Sequence, residues 1–332
     1  MHAGSGALPM IALMRAGRVE SVHAGHAVIC DGSGAVVASW GAAGALIYPR
    51  SACKMVQALP LVESGAAAGL DTARLALACA SHAGAAMHVD RVARWLAELG
   101  LDEDALRCGA HAPGDREERE RLIRAGEAPC QLHNNCSGKH AGFLALARHL
   151  RAGPEYLQID HPVQRAVRDA FEGLTDERSP GWGIDGCSAP NHACTLTGLA
   201  RAMARFALAR DSGGRREQAM ARLREAMMAR PDLVAGEGRA CTDLMRASSG
   251  RLAVKTGAEG VYTAILPQAG LGLALKIADG STRAAEAALV ALLVHLGVIE
   301  AAHPAAQRRL GGALRNWRGL EVGRLQTLPG FP

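Results

Sequence analysis

The chain has 332 residues, of which 49% are hydrophobic and 21% charged, with a net charge of +5 at pH 7, as in an ordinary soluble globular protein. Its arginines are scattered among acidic residues rather than grouped with aromatic ones, so we expect no nucleic-acid-binding surface. No segment reaches about 18 consecutive apolar residues, and the short apolar stretch 7–14 follows no basic region, so we expect neither a membrane span nor a signal peptide.

The first elements that the sequence predicts are a β-hairpin and a helix. Residues 26–30 and 35–40 are strand-like, and the glycine-containing turn 31–34 joins them. A helix is expected over about 51–64, kinked or interrupted at Pro60.

The middle of the chain is predicted to be mostly helical. Asp71 caps a short helix that ends at the Ser81-His82 pair. Beyond this pair, apolar residues recur at helical spacing. This spacing predicts helices over 87–99, 137–150, 162–174, 197–208 and 215–229.

The C-terminal part changes character, because apolar segments of strand length, separated by glycine turns, replace the helices. These segments cover 251–256, 261–266 and 271–278. A long apolar helix over 282–296 follows them.

Strands at both ends with helices between them predict an α/β (α+β) fold with one antiparallel sheet. The sheet is expected to combine residues from about 10–48 and 250–280, with helices covering it and a mostly helical middle over 51–230. The sequence contains no credible interdomain linker, so we expect a single domain over 1–332.

Lysine is rare in this chain. Only four of the 37 basic residues are lysines, namely Lys54, Lys139, Lys255 and Lys276. Lysine can lose its proton and act as a base, nucleophile or ligand, whereas arginine effectively cannot. The first three are therefore candidate catalytic or metal-binding residues. Lys276, inside a predicted strand, is interpreted as a lysine that is present by chance and has no such role.

Ser51 and Lys54 form an S-x-x-K motif at the start of a predicted helix. Residues three apart share a helix face, so the Lys54 amine can lie within reach of the Ser51 hydroxyl. A buried neutral lysine is a competent base for a serine nucleophile, and a helix N-terminus favours developing negative charge. The motif is short, so this spacing alone does not establish a site.

Lys255 begins a K-T-G motif on a predicted strand. In serine β-lactamases and penicillin-binding proteins, an S-x-x-K serine faces a K-T-G strand across the active-site cleft. The order and separation of the motifs match that arrangement, and Ser81 falls where a second serine could meet Lys255. The alternatives are an ordinary turn between strands that needs Gly257 for its backbone freedom, and a helix-capping loop at Ser81.

Nine cysteines, an odd number spread over the chain, argue against a secreted disulfide framework and indicate a cytoplasmic protein with free thiols. Cys136, Lys139 and His140 lie on one face of a predicted helix start, and Cys187 ends a short strand-like segment. Two thiolates favour zinc. The alternative is that these cysteines are buried as small apolar side chains, because no paired C-x-x-C motif is present.

These motifs resemble the L-asparaginase II family of rhizobial-type, or class 3, asparaginases. The resemblance rests on YPRSACK at 48–54, CASH at 79–82, HNNCSGKHAG at 133–142, GIDGC at 183–187 and KTGAEG at 255–260. It implies a homodimeric enzyme of the serine-β-lactamase-like, penicillin-binding-protein-like fold that hydrolyses L-asparagine to L-aspartate and ammonia.

The resemblance also implies roles for individual residues. Two serine–lysine tandems are implied, Ser51 with Lys54 and Ser81 with Lys255. A zinc ion is implied on Cys136, Lys139 and Cys187, with water completing its shell, and we expect it to aid substrate positioning. Candidate contacts for the amino and carboxylate groups of the substrate are Arg50, His82, Asn135 and Asp185.

Three alternatives stay open. The chain could be a glutaminase or another amidohydrolase of this fold, because pocket depth decides between asparagine and glutamine. Ser81 rather than Ser51 could be the nucleophile. A non-catalytic zinc-binding protein is the third alternative. Lys54 and Lys255 argue against it, because a site without catalytic activity does not require lysine where this chain otherwise uses arginine.

Overall fold

A computed structural model describes residues 5–332 of the chain. The chain divides into two compact units. Unit 1 consists of the segment up to Ala52, Cys194–Leu208 and Asp243–Pro332, and unit 2 consists of Cys53–Ala193 and Ala209–Thr242. The expectation of a single domain stays a prediction.

The strands are numbered in chain order. They are β1 Leu8–Arg15, β2 Arg18–Cys30, β3 Val36–Trp40, β4 Leu46–Ile47, β5 Trp182–Ile184, β6 Pro190–His192, β7 Cys194–Thr195, β8 Ala253–Gly257, β9 Val261–Leu266, β10 Leu271–Ile277, β11 Ala313–Arg315 and β12 Glu321–Thr327.

The α-helices are numbered in the same way. They are α1 Lys54–Glu63, α2 Thr72–Ala78, α3 Ala86–Glu98, α4 Arg116–Ala125, α5 Ser137–His149, α6 Pro162–Thr175, α7 Leu196–Leu208, α8 Arg215–Ala229, α9 Pro231–Val234, α10 Ala240–Ala247, α11 Thr282–His295 and α12 Pro304–Gln307. Short 3-10 turns cover Arg50–Cys53, Glu103–Ala105 and Gln131–His133.

Unit 1 is built on an antiparallel sheet with the strand order β11-β12-β1-β2-β10-β9-β8, in which β3 also pairs with β2. The N-terminal strands β1 and β2 lie between C-terminal strands on both sides, so the sheet combines the two ends of the chain and the predicted fold class is confirmed. The predicted hairpin is confirmed as well, with Ala27 opposite Trp40 and Cys30 opposite Val36. Strand β2 is longer than predicted, because its first half pairs with β1.

The core of unit 1 lies on both sides of this sheet. Strand β9 is buried along its whole length, which requires cover on both faces. Helix α7 packs against β2, β9 and β10, and α11 packs against β1, β9, β10 and β12. The apolar character of β9 and β10 therefore follows from the cover on both faces of these strands.

Unit 2 is mostly helical, as the sequence predicts for the middle of the chain. Helix α1 contacts α5, α6 and α8, and α2 contacts α5, α8 and α9. Helix α1 begins after a 3-10 turn and continues through Pro60 to Glu63 without a break. None of the helices in the described part of the chain combines the length and apolar character needed to cross a membrane.

Candidate active site

The Ser51 turn, which we define as residues 49–52 of unit 1, lies directly against strand β8. A Cβ atom added to Gly257 would lie 2.7 Å from the Pro49 carbonyl oxygen, so only glycine allows this approach. The hydroxyl of Thr263 donates to the Ala52 carbonyl at 2.8 Å. These contacts hold the backbone that carries Ser51 beside the strand that carries the K-T-G motif.

Two charged residues of unit 1 belong to the same region. Arg50 has a φ of 52°, a left-handed conformation that costs a residue other than glycine on the order of 1–3 kcal/mol and is found at functional sites. Lys255 is buried, and its Nζ donates to the Thr256 carbonyl at 2.8 Å. A buried lysine needs such polar partners, because burial of an ammonium group is costly.

In unit 2, the Lys54 side chain contacts both a serine and a cysteine. Its side chain is only 1% exposed. The Nζ contacts the Ser81 hydroxyl and the Cys136 sulfur, each at 3.0 Å, and also donates to the Ala80 carbonyl. One amine from the start of α1 thus contacts a serine that follows α2 and the residue that precedes α5.

Close packing of α5 against α2 brings Cys136 to this position. A Cβ atom added to Gly138 would lie 2.5 Å from the Leu77 carbonyl oxygen, so the first turn of α5 can touch α2 only with glycine there. The Oδ1 of Asn134 accepts the backbone N–H of Cys136 at 2.9 Å, and the Cys136 thiol donates to Asn135 Oδ1 at 2.9 Å. The HNNCSGKH motif therefore fixes Cys136 through its neighbours in sequence.

A second lysine–sulfur contact lies in the same unit. Lys139 Nζ donates to Cys187 Sγ at 3.0 Å. The interaction with the neighbouring Cys136 side chain lowers the pKa of Cys187 against the opposing effect of burial, and Lys139 also lowers it. The pairing with Cys187 and burial raise the pKa of Cys136, so Cys187 is the sulfur that ionises first.

The protonation of Lys139 follows from the same contacts. Burial lowers the pKa of Lys139, but the Cys187 and Cys136 sulfurs outweigh burial and raise it above its usual range. A charged amine here is balanced by an ionised thiol in direct contact. A metal ion that used Lys139 as a ligand would have to displace its proton.

The residues expected to bind zinc fit such an ion in chemistry and placement. Within residues 5–332, no group of three or more histidine, cysteine and carboxylate side chains is arranged to hold a metal. The expected set differs from such groups because its third donor is an amine. Cys136, Lys139 and Cys187 are all buried, Lys139 is hydrogen-bonded to Cys187, and both sulfurs affect the pKa of Lys139; two sulfurs with one nitrogen suit zinc.

We call the five residues described here the lysine–thiol cluster. Its members are Lys54, Ser81, Cys136, Lys139 and Cys187. Asn135 contacts this cluster through the Cys136 thiol, and Asp185 raises the pKa of Lys139 electrostatically. Of the other residues that the sequence singled out, Arg50, Ser51 and Lys255 belong to unit 1.

His82 is engaged on both ring nitrogens. Its Nε2 lies 2.9 Å from the Ser137 hydroxyl, and its Nδ1 accepts the Gly84 backbone N–H at 3.1 Å. The ring is 2% exposed. A direct contact with substrate would break one of these two hydrogen bonds.

Sequence reasoning did not find Tyr156. Its buried hydroxyl lies 2.9 Å from His140 Nδ1 and accepts the Arg107 backbone N–H at 2.8 Å. No periodic pattern marks Tyr156, and its position in a short irregular segment gave no signal. His140 was noted only as a neighbour of Lys139 on one helix face.

The chain matches one sequence family and is similar, at low sequence identity, to several solved structures. The sequence pattern of the family L-asparaginase II matches residues 11–327. A search of curated proteins found no match. Similar solved structures include Mglu in its native form, which is 13% identical, with 88% of this chain and 69% of that chain covered and a TM-score of 0.46.

Two further similar structures come from named bacteria. A β-lactamase from Mycobacterium bovis is 11% identical, with 83% of this chain and 95% of that chain covered and a TM-score of 0.44. A D-alanine carboxypeptidase from Burkholderia cenocepacia is 14% identical, with 79% and 90% covered and a TM-score of 0.38. The chain spans 60% of Mglu in its tris and glutamate form. Since the family pattern covers almost the whole chain, the protein belongs to the L-asparaginase II family.

Proposed function

We propose that the protein hydrolyses the side-chain amide of L-asparagine to give L-aspartate and ammonia. Membership of the L-asparaginase II family supports an amidohydrolase. The observation that carries the proposal is the environment of Lys54. Its Nζ lies 3.0 Å from the Ser81 hydroxyl and from the Cys136 sulfur and also contacts the Ala80 carbonyl, so a buried lysine amine is within proton-transfer reach of a serine.

In the proposed reaction, Ser51 attacks the amide carbon while Lys54 accepts the hydroxyl proton. Collapse of the tetrahedral intermediate breaks the carbon–nitrogen bond, and the proton leaves with ammonia. Water then cleaves the aspartyl ester: its oxygen becomes part of the aspartate carboxylate, and one of its protons restores the Ser51 hydroxyl. Ser81 and Lys255 are proposed to relay protons as the second tandem, and backbone N–H groups at Ser51 and in β8 to stabilise the oxyanion.

Cys136, Lys139 and Cys187 would hold zinc in this proposal. When bound, the ion would orient the polar α-end of asparagine, because two thiolate ligands blunt its Lewis acidity. Arg50, Asn135 and Asp185 are the proposed contacts for the amino and carboxylate groups of the substrate. His82 is proposed to act through Ser137 at the start of α5, because its ring nitrogens are engaged.

A second candidate for the nucleophile is Ser81. The 3.0 Å contact between Lys54 Nζ and Ser81 Oγ favours it, because the pair is already within reach for proton transfer. In this version Ser81 forms the aspartyl ester and Ser51 belongs to the proton relay. Mass spectrometry of the acyl-enzyme, trapped in short reactions with asparagine, would show which serine carries the ester.

The test of the function is ammonia release from L-asparagine, D-asparagine and L-glutamine, compared at equal concentrations. L-asparagine is expected to have the highest kcat/KM. Preference for L-glutamine would replace the proposed substrate, and no ammonia from any amide would support the non-catalytic zinc-binding alternative. Cytoplasmic location and a homodimer are also proposed; sedimentation of the purified protein tests the dimer.

A further inference from the structure

His140 follows Lys139 on α5, and its ring is completely buried. Its Nδ1 lies 2.9 Å from the Tyr156 hydroxyl oxygen, which accepts the Arg107 backbone N–H at 2.8 Å. A backbone N–H can only donate, so the phenol keeps its own proton for another acceptor. Among the residues that the structure describes, the only acceptor paired with this hydroxyl is His140 Nδ1. The ring therefore carries its proton on Nε2.

The Nε2 of His140 is a buried donor that needs an acceptor. Within residues 5–332, this atom has no aligned hydrogen-bond partner. Such orphaned groups are rare in native proteins, because each costs free energy comparable to a lost hydrogen bond. Other than Tyr156, the polar side chains with which the His140 ring interacts are Cys187, Lys139 and Lys54, and of these Cys187 offers a sulfur as acceptor.

We propose that His140 is a positioning residue of the metal site, whose Nε2–H donates to the Cys187 sulfur when that sulfur is a metal ligand. Metal binding would hold the Cys187 thiolate in one position, where it can accept a hydrogen bond from Nε2–H. Such a donor would orient the Cys187 side chain and change how strongly its sulfur donates electrons to the metal. The proposal rests on the proposed zinc site and adds a residue to it that binds no metal directly.

The hydrogen bond with Tyr156 distinguishes between a histidine that donates to a metal ligand and a histidine that binds the metal itself. If Nε2 bound the metal directly, the ring proton would have to move to Nδ1. Tyr156 could then no longer donate to that nitrogen, and its buried hydroxyl proton would lose its partner. The hydrogen bond from Tyr156 therefore favours a histidine that donates to a ligand over a histidine that is one.

The experiment measures zinc affinity by competition with a chromophoric chelator, and the sulfur-to-cobalt absorption of the cobalt-loaded protein. His140→Leu removes the donor and is expected to weaken zinc binding about 10- to 100-fold. His140→Gln can place an amide N–H near the position of Nε2, and we expect it to retain most of the affinity. His140→Asn reaches only the position of Nδ1, and we expect it to behave like His140→Leu.

His192 provides the matched control. It is also a buried histidine with an unpartnered Nε2, but its ring packs against Phe171. His192→Leu should leave zinc affinity unchanged. If His140→Leu fails to fold, the comparison of the Gln and Asn variants still tests the donor.

The outcomes separate this inference from the proposed function. If wild type binds no zinc, the proposed metal site is refuted together with the role of His140. If wild type binds zinc and His140→Leu binds it equally well, only the role of His140 is overturned. Loss of affinity in His140→Gln as large as in His140→Leu, with a changed cobalt coordination spectrum, would make His140 a direct ligand and also overturn it.

Discussion

The Ser51 turn and the lysine–thiol cluster are held in place by different means. In the Ser51 turn, backbone atoms decide the position: Gly257 of β8 approaches the turn as only glycine can, and Thr263 holds a turn carbonyl. In the lysine–thiol cluster, ionisable side chains contact one another, with Lys54 on Cys136 and Lys139 on Cys187. Added volume should therefore damage the turn most, whereas a change of protonation at constant volume should damage the cluster most.

The largest effect is expected from Lys54→Arg, which keeps a basic group of similar length but not the ability to lose a proton. Turnover of L-asparagine should fall more than about 100-fold, which corresponds to about 2.7 kcal/mol of transition-state stabilisation. Lys276→Arg is the matched control, since Lys276, in β10 of unit 1, contacts the Glu259 backbone carbonyl, and it should keep near-normal kcat. Substantial activity in Lys54→Arg would contradict a neutral-lysine mechanism.

The corresponding experiment on the turn is Gly257→Ala. The new methyl group would lie 2.7 Å from the Pro49 carbonyl, so the turn or the strand must shift by several tenths of an ångström. A misplaced nucleophile should lower kcat about 10- to 100-fold, with unchanged zinc content. Gly44→Ala, where no atom lies within 4 Å of the added Cβ, should have no effect on kcat. Equal kinetics in the two variants would remove the steric argument for the turn.

Cys187→Ser separates metal binding from the chemistry of Lys54, because Cys187 contacts Lys139 while Lys54 contacts Cys136. The variant should lose zinc by elemental analysis and raise KM about tenfold, with a smaller fall in kcat. Cys136→Ser should lose zinc and also disturb Lys54, so its kcat should fall further. Cys30→Ser, a buried cysteine of unit 1, should change neither zinc content nor KM. Stoichiometric zinc in Cys187→Ser, or a collapse of kcat at unchanged KM, would argue against substrate positioning by the metal.

The sequence predicted most of the fold because its elements carry local patterns. Strands β8 to β10 and helix α11 agree with their predicted ranges within about two residues, a precision typical of strongly patterned segments. Strands β11 and β12 were missed, because they are short or half-exposed and lack a clear apolar alternation. Strand β12 is defined by a partner far along the chain, with Ile11 opposite Thr327, which no local pattern encodes.

Some residues of the candidate site could be predicted from sequence motifs, whereas the contacts between them form only when the chain folds. Motif chemistry pointed to Lys54, Cys136 and Lys139 as residues, because lysine is rare and the HNNCSGKH segment is distinctive. The contact of Lys54 with Cys136 joins residues 82 positions apart, so no spacing rule predicts it. Tyr156 likewise acquires its role only through packing, which orients its hydroxyl toward His140.

The smallest expected effect concerns stability rather than turnover and involves two stacked histidines of unit 2. The rings of His82 and His88 lie 4.8 Å apart, and burial lowers the pKa of both. Unfolded histidine titrates near pH 6.5 and so binds more protons than the folded state below that pH. The free energy of unfolding that this difference contributes is complete above pH 6.5. It is lost as the pH falls through 6.5 toward the folded pKa values, by at most about 1.4 kcal/mol per pH unit for each ring.

Urea unfolding at pH 7.5 and 5.5 should show this loss of stability. The variant His88→Phe should reduce the loss, whereas His149→Gln, at an exposed position, should not. An unchanged loss in His88→Phe would mean that this ring is readily protonated in the folded protein.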